Sequence, residues 1–411
     1  MSQHLANRLM AEDTLAHCMK IANSKIVICT PDLATYVRDL FVQSKEAQPC
    51  LSLNLSSFGP LQLSEEDVRA TNMTQIRYED FQLASTFTTV LPRVKRNLKD
   101  IGALVYTSGT SGKPKAVSIK NFLLVVVSTP TSVDVQNPKR YFPLRTYSCL
   151  PLFHATCLFT GLYYSAGSSS TFCLGRKFSA SRFARTLTIS GATRLLYVGE
   201  LCRYLLAATP SEYDQAHRCI VASGNGLQKD IWEKFRRRYN IPEIREFYRS
   251  TEGIAKFDNF SRGAPASAGM VGFSGLLKRY FEDDIFIVKY DPSTEEPYRD
   301  PSTGFCIPAA LDEPGEAIGR VRSMDFYNEY LNDPGANKLK LIENVFKNGD
   351  LFQRTGDLLV HSKRGWIRFH DRSGDTFRWR GENVSAGEVR EQIARLPNVH
   401  DVSVYGIKLD R

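Results

Sequence analysis

Short apolar, β-rich runs alternate with amphipathic segments along most of this sequence. KIVICT (25–30) reads as a strand followed, after Pro31, by the helix-like DLATYVRDLFVQ. GALVYT (102–107) and KAVSI (115–119) read as strands flanking a Gly/Ser/Thr loop, with an apolar helix starting at Asn121. TYSCLPL, SSTFCLG, TRLLYVG, RCIVAS and EIREFY extend the strand series. Between them lie helical patterns in FHATCLFTGLYYSAG, SASRFARTLTIS, ELCRYLLAAT (stopped by Pro210) and KDIWEKFRRRYN. A helix between two strands carries the chain back across the sheet, so successive strands run parallel. The alternation therefore predicts an α/β fold with a doubly wound, mostly parallel sheet covered on both faces.

From about residue 262 the pattern turns Gly/Pro-rich and charged, as in KYDPSTEEPYRDPSTG (289–304), which predicts an antiparallel subdomain with loops. WIRFHDRSGDTFRWRG (366–381) has the aromatic alternation of a hairpin, followed by a helix in GEVREQIARL and a strand in DVSVYGI (401–407). Three regions result: 1–261, an α/β nucleotide- and acyl-binding part; 262–370, a β-rich subdomain completing the large domain; and 371–411, the start of a small α+β lid module.

With 411 residues, 42% of them hydrophobic, and 24 Phe and 18 Tyr, the chain can build a substantial core and is not a disordered protein. The longest apolar stretch, FLLVVV from Phe122, falls far short of the roughly 20 residues needed to span a bilayer. The net charge is +9, spread along the chain and densest at Arg236–Arg238. No nucleic-acid module accompanies it, and basic residues at the end of a helix complement its dipole, so no nucleic-acid partner is expected. Nine cysteines show no C-x-x-C spacing; buried free thiols in an intracellular, reducing compartment are expected.

The densest motif is YTSGTSGKPKAV, which includes Tyr106, Thr107, Ser108, Gly109, Thr110, Ser111, Gly112, Lys113, Pro114 and Lys115. Glycines allow close backbone approach to an anion, hydroxyls and amides donate to phosphate oxygens, and lysines supply charge. It is not the ordinary P-loop, because Thr107 and Pro114 stand where that motif needs Gly and Ser or Thr. ASGNGLQKD (222–230) suits a nucleotide base or phosphate at a strand end but lacks a third glycine. EFYRSTEG (246–253) ends a strand with Glu252, placed to hold Mg²⁺ bound to phosphates. Asp357 in TGDLL could accept ribose hydroxyls, and HDRSGD (370–375) is either a solvated turn or a hinge whose Arg reaches a ligand. G-x-S-x-G, H-E-x-x-H and EF-hand patterns are absent. His154 in PLFHATC lies in an apolar setting where a core role competes with a catalytic one.

In this order the segments resemble the adenylate-forming enzymes, the acyl-CoA synthetase superfamily. YTSGTSGKPK resembles its phosphate loop, YRSTEG its Tyr-Gly-x-Thr-Glu motif, TGD its ribose motif and DRSGDTFRWRGENVSAGEV its hinge. YVGELCRYL, NGLQKDIWEKFRRRY, EFYRSTEG and GDTFRWRGENVSAGEV are similar to the very long-chain acyl-CoA synthetase and fatty acid transport protein subfamily. The resemblance implies the adenylate-forming fold and an AMP-forming fatty acid–CoA ligase using ATP, Mg²⁺ and coenzyme A. It implies that Thr107–Lys115 hold the phosphates, Tyr248 stacks near adenine, Thr251 contacts the α-phosphate and Glu252 helps hold Mg²⁺. Asp357 and Arg372 then bind ribose, Gly224 and Asn225 border adenine, and His154 borders the acyl carboxylate. Trp379, Arg380 and Gly381 face coenzyme A after the small domain turns about Arg372–Asp375.

Three departures from the family pattern stand out. Arg249 replaces a glycine in the Tyr-Gly-x-Thr-Glu motif, where it would fill space or pair with a substrate carboxylate. The family's N-terminal part before His17–Cys18, which carries the membrane segment in the transport proteins, is expected to be missing. The chain stops before the family's C-terminal lysine, so a shortened product that adenylates poorly is expected. A truncated, non-catalytic nucleotide- or acyl-binding relative and a ligase for a specialised acid are the competing readings. Peripheral contact with endoplasmic reticulum, peroxisome or lipid-droplet membranes is expected.

Overall fold

The structure is a computed structural model that describes residues 12–23, 27–29, 50–54, 73–77, 95–107, 114–129, 144–260, 265–373, 376–379, 382–393, 396, 399 and 402–405. The expected helix DLATYVRDLFVQ, the loop 108–113, and Gly374, Asp375, Arg380 and Gly381 lie outside the described residues.

Strands β1 (Val27–Cys29), β2 (Cys50–Asn54) and β3 (Met73–Arg77) run parallel in that order. β4 (Ile101–Thr107) and β5 (Lys115–Lys120) form an antiparallel hairpin of their own rather than joining a parallel sheet. Their connection explains the difference. Parallel neighbours need a crossover of about a dozen residues or more, and the loop after Thr107 is shorter than that.

The principal sheet contains β6 (Thr146–Ser148), β7 (Phe172–Leu174), β8 (Arg194–Val198), β9 (Val221–Asn225) and β10 (Glu243–Tyr248), all parallel. β11 (Phe257–Asn259) closes one edge antiparallel, giving the order β11-β10-β9-β8-β6-β7. Leu195, Leu196 and Tyr197 on β8 are completely buried, as both faces of such a strand must be. Helix Ala180–Ser190 buries Phe183, Ala184 and Leu187 and stops at Gly191, whose φ of 61° is the left-handed cap that glycine accepts without strain. Helix Lys229–Arg238 buries Ile231, Trp232 and Phe235 on one stripe; a side chain such as Phe235 stabilises by roughly 1.5–3 kcal/mol when buried. Its last turn carries the basic cluster. Arg236 pairs with Glu233 at 2.9 Å, Arg238 with Asp214 at 2.8 Å, and the exposed Arg237 lies 3.8 Å from Glu233, so all three cations have a carboxylate partner within the fold.

The helix expected over 153–167 is widened into π geometry at Thr156–Tyr163 before a last α-turn, Tyr164–Gly167. A π segment disturbs the normal carbonyl ladder. The buried Arg194 guanidinium donates to the Thr160 carbonyl at 2.6 Å and lies 4.2 Å from the Tyr164 ring centre. Burial lowers Arg194 to about 10, which still leaves it cationic near neutral pH.

The second sheet is antiparallel, as expected from residue 262 onward. It contains β12 (Gly272–Phe273), β13 (Ile285–Asp291), β14 (Glu296–Pro297), β15 (Pro314–Arg320), β16 (Leu341–Glu343), β17 (Leu351–His361) and β18 (Trp366–Arg372). The order is β12-β18-β17-β15-β13-β14, with β16 also on β17. The aromatic run 366–381 is not a hairpin with itself. β18 pairs back with β17, while β19 (Thr376–Trp379) pairs forward with β20 (Glu382–Ser385). Packing decides this, because Ile367 joins Leu359 and Ala317 in a buried cluster that holds β18 to the large sheet. Helix Ala386–Ile393 follows as expected, but residues 402–405 form no strand. A β-rich pattern becomes a strand only beside a neighbour, which periodicity cannot supply.

Cys18, Cys149, Cys157, Cys202, Cys219 and Cys306 are buried free thiols; burial pushes Cys149 up to about 12. Among the described residues no helix is long and apolar enough to cross a membrane.

Candidate active site

β9 and β10 end side by side at Asn225 and Tyr248. Ligands of open α/β sheets bind at the carboxyl ends of the strands. Opposite them, β17 and β18 present Asp357 and Arg372 in register. A cleft of about 800 Å³ separates the two sheets, walled by Asn225, Tyr248, Met270, Asp357, Arg372 and, from the C-terminal helix, Gln392.

Tyr248 crosses the back of this cleft. Its hydroxyl donates to Asp357 Oδ2 at 2.5 Å, and its ring packs on Phe257 with centroids 5.9 Å apart. Asp357 Oδ1 faces Arg372 Nε at 3.9 Å. Burial holds the Asp357 carboxyl above its ordinary value, opposed by the Tyr248 hydrogen bond and by the Arg372 charge. Burial and the neighbouring Asp357 push the Tyr248 phenol far above its usual range, so it stays a donor.

The glycines beside the cleft answer to packing. A Cβ on Gly224 would sit 2.1 Å from the Tyr197 carbonyl oxygen, and one on Gly199 would sit 1.7 Å from that of Gly226. Strand β9 and the loop after it therefore touch their neighbours backbone to backbone. Gly226 turns with φ 79°, leaving Asn225 on the cleft wall. Asn225 Oδ1 is buried and, among the described residues, has no hydrogen-bond partner. A buried acceptor without a donor is costly unless a ligand supplies one.

Glu246, inside the apolar run EIREFY, is a residue that the sequence reading passed over. Its carboxylate is 2% exposed, accepts from the Tyr197 hydroxyl at 2.6 Å and from the Leu227 amide at 3.2 Å, and braces the 225–228 loop from below. Burial raises it to about 8. An acidic residue in the middle of a buried strand was the available signal.

The two other motifs meet on Tyr330. Its hydroxyl donates to Glu252 Oε1 at 2.9 Å, and Lys115 Nζ lies 5.4 Å from its ring centre. Lys115 also faces Asp333 at 3.6 Å, and Lys340 stands 3.8 Å from Glu252. Gln353 Nε2 donates to the Glu252 carbonyl at 3.0 Å, and Gln353 Oε1 accepts from the Ile254 amide at 2.7 Å. Tyr330, Lys340 and Gln353 had no signal in the sequence, because tyrosines, lysines and glutamines are common and only proximity marks these three. Thr107 and Lys115 are direct strand partners at the mouth of the loop 108–113, so Ser108, Gly109, Thr110, Ser111, Gly112 and Lys113 lie outside the described residues between two placed ends.

The remaining expected residues are placed as follows. Tyr106 donates its hydroxyl to the Cys18 carbonyl at 2.6 Å, and Pro114 offers its carbonyl to His17 Nε2 at 3.2 Å, so both tie the helix Glu12–Ala22 to the hairpin. Thr251 is half-buried next to Glu252. His154 is exposed after β6, its ring 4.6 Å from that of Phe153, and is not among the described residues walling the cleft. Arg249 borders the cleft, but its guanidinium donates to the carbonyls of Tyr248 and Phe257 and to Asp258 Oδ1 at 2.6 Å. These contacts clasp β10 to β11. Trp379 ends β19 opposite Glu382.

The cleft walls suit a ligand with donors for Asn225 and Asp357, and the lysines beside Tyr330 and Glu252, Lys115 and Lys340, suit anionic groups. Among the described residues no group of three or more His, Cys, Asp or Glu is gathered for a metal. A single carboxylate such as Glu252 does fit Mg²⁺, which keeps most of its shell as water and ligand phosphate.

Comparison with known proteins agrees with this architecture. Isopenicillin N epimerase component 1 of Hapsidospora chrysogena is 36% identical over 353 residues, covering 84% of this chain and 57% of that protein. The very long-chain fatty acid transport protein of Cochliobolus heterostrophus is 34% identical over 399 residues, covering 96% of this chain and 58% of that protein. The chain thus spans less than two thirds of either relative. The crystal structure of the anthranilate CoA ligase AuaEII in complex with anthranoyl-AMP superposes with a TM-score of 0.71 at 16% identity, covering 97% of this chain and 69% of that one. The fold is accordingly that of the adenylate-forming enzymes, with mixed parallel and antiparallel sheets. Residues 4–304 match the AMP-binding enzyme family, and the chain belongs to that family.

Proposed function

We propose that this chain is an ATP-dependent ligase that activates a long- or very long-chain fatty acid and transfers it to coenzyme A. In the first step a carboxylate oxygen attacks the α-phosphorus of ATP, forming an acyl-adenylate and expelling pyrophosphate. In the second the coenzyme A sulfur attacks the acyl carbon, its proton passes to solvent, and AMP leaves. Both steps gather negative charge, so positioning and electrostatics carry the catalysis. Lys115, Thr107 and the intervening loop hold the phosphates, and Thr251 meets the α-phosphate. Asp357 and Arg372 take the ribose, Gly224, Asn225 and Tyr248 border the adenine, and His154 borders the acyl carboxylate. Glu252 fits Mg²⁺, which neutralises phosphate charge when bound; Trp379, Arg380 and Gly381 face coenzyme A. Region 1–261 then binds nucleotide and acyl chain, 262–370 completes the large domain, and 371–411 begins the lid, turning about Arg372. A substrate with so long an apolar chain favours peripheral contact with an intracellular membrane.

The observation that carries this reading is the cleft itself, which is walled at the strand ends of two sheets by the Tyr248–Asp357 pair and by Asn225, whose buried Oδ1 has no hydrogen-bond partner among the described residues. The relative named for very long-chain fatty acid transport supports the substrate class. The similarity to isopenicillin N epimerase component 1 favours a second reading, a ligase for a specialised carboxylic acid. Pyrophosphate release with ATP, Mg²⁺ and a panel of acids tests both. Turnover fastest on long fatty acids supports the first reading, and turnover confined to an amino-acid-derived or aromatic acid supports the second. Nucleotide binding without turnover on any acid would overturn both in favour of a non-catalytic relative.

A further inference from the structure

We propose that the helix Leu276–Phe281 is a wedge that docks this chain onto the surface of an anionic phospholipid bilayer. Its sequence is LLKRYF, and Leu276, Leu277, Tyr280 and Phe281 are 79%, 77%, 83% and 77% exposed. Isolated exposed apolar residues are ordinary, but four large ones on one short helix are not. At about 100° per residue these four fall on one continuous stripe, with Lys278 and Arg279 at its two margins. Phe273, just before the helix, adds a further half-exposed ring against Trp366 at 4.9 Å.

The charges around the stripe choose the occupant. Ser274 donates its amide to the Gly365 carbonyl at 2.8 Å, which sets the exposed Lys363 and Arg364 of that turn beside the helix. Lys278, Arg279 and Arg364 thus border the apolar stripe, and Lys363, which also faces Asp312 at 3.5 Å, adds a fourth cation on that side. The acidic run that follows is engaged elsewhere: Asp283 and Asp284 pair with Arg322 at 2.5 and 2.7 Å, and Glu282 accepts from the backbone amides of Asp284 and Ile285. A convex apolar stripe with a basic margin is the signature of an interfacial helix, in which leucines and aromatic rings enter the headgroup boundary and cations meet anionic lipid. The strand β12 connects this helix to Met270 and Val271 on the cleft wall, so a docked chain would hold the cleft close to the bilayer.

Vesicle flotation with the whole 411-residue chain tests the proposal, without requiring that the chain be a ligase. The vesicles are phosphatidylcholine with or without phosphatidylserine, and the variants are Leu276→Ser/Leu277→Ser/Tyr280→Ser/Phe281→Ser and Lys278→Glu/Arg279→Glu/Lys363→Glu/Arg364→Glu. Wild type should partition onto the phosphatidylserine vesicles, and each variant should lose about ten-fold or more in partitioning with an unchanged melting temperature. Three outcomes would overturn the proposal: wild type staying off both vesicle types, the serine variant partitioning like wild type, or equal binding with and without phosphatidylserine. A wild-type dimer converted to monomer by the serine substitutions, with vesicle binding unaltered, would reassign the stripe to a contact between copies.

Discussion

The Tyr248 hydroxyl donates to Asp357 Oδ2 at 2.5 Å, joining residues 109 positions apart and tying the last parallel strand of one sheet to the longest antiparallel strand of the other. The bond fixes one carboxylate oxygen and leaves the other toward the cleft and Arg372. It places the carboxylate before any ligand arrives.

Removing that hydroxyl with Tyr248→Phe should weaken nucleotide more than it weakens the fold. A hydrogen bond to a charged acceptor contributes about 1.5–3 kcal/mol, so the Kd for ATP or AMP should rise at least ten-fold by calorimetry. An unchanged Kd would take Asp357 out of the nucleotide site.

Tyr330→Phe keeps the ring beside Lys115 but frees Glu252 from its donor. Groups that orient a ligating carboxylate typically change activity or metal affinity by about 10–100-fold. Pyrophosphate release should fall by about that much and require more Mg²⁺, while AMP affinity stays within about two-fold. Parallel loss of AMP affinity would mean that Tyr330 serves the hairpin rather than Glu252.

Glu246 gives the fold a distinct pH dependence. Its carboxyl is raised by burial from 4.5 to about 8, so the folded state holds a proton that the unfolded chain releases. The stability this provides is complete below about pH 4.5 and is lost as pH rises through about 8, at up to roughly 1.4 kcal/mol per pH unit. Glu246→Gln cannot ionise and should flatten that slope, so its melting temperature should gain on wild type between about pH 5 and 8. Parallel melting curves across that range would place the raised value elsewhere.

Gly224→Ala should destabilise through contact with backbone. Its Cβ would lie 2.1 Å from the Tyr197 carbonyl oxygen, and overpacking of this kind costs about 1–3 kcal/mol or more. Thermal unfolding should shift down by several degrees, with nucleotide affinity falling as Asn225 moves. A neutral substitution would show that β8 and β9 can separate at no cost.

Much of this protein was legible in its sequence. Strands such as β8, β9 and β10 and helices such as Ala180–Ser190 are marked by local periodicity and by stop signals such as Pro210, which act over a few residues wherever the chain folds. The motif segments carrying Lys115, Asn225, Tyr248, Glu252 and Asp357 could be singled out for the same reason, since each is a contiguous run of unusual composition. Tertiary structure decided the partners. Tyr330 reaches Glu252 across 78 positions and Gln353 reaches the same residue's carbonyl across 101, contacts that no local pattern encodes. Arg249 lies with Asp258 because β11 folds back beside β10. The run 366–381 divides between two sheets because Ile367 finds a buried cluster on β17. Periodicity states which face of an element is apolar; which neighbour covers that face, and which donor meets a given carboxylate, depends on packing between segments far apart in the chain.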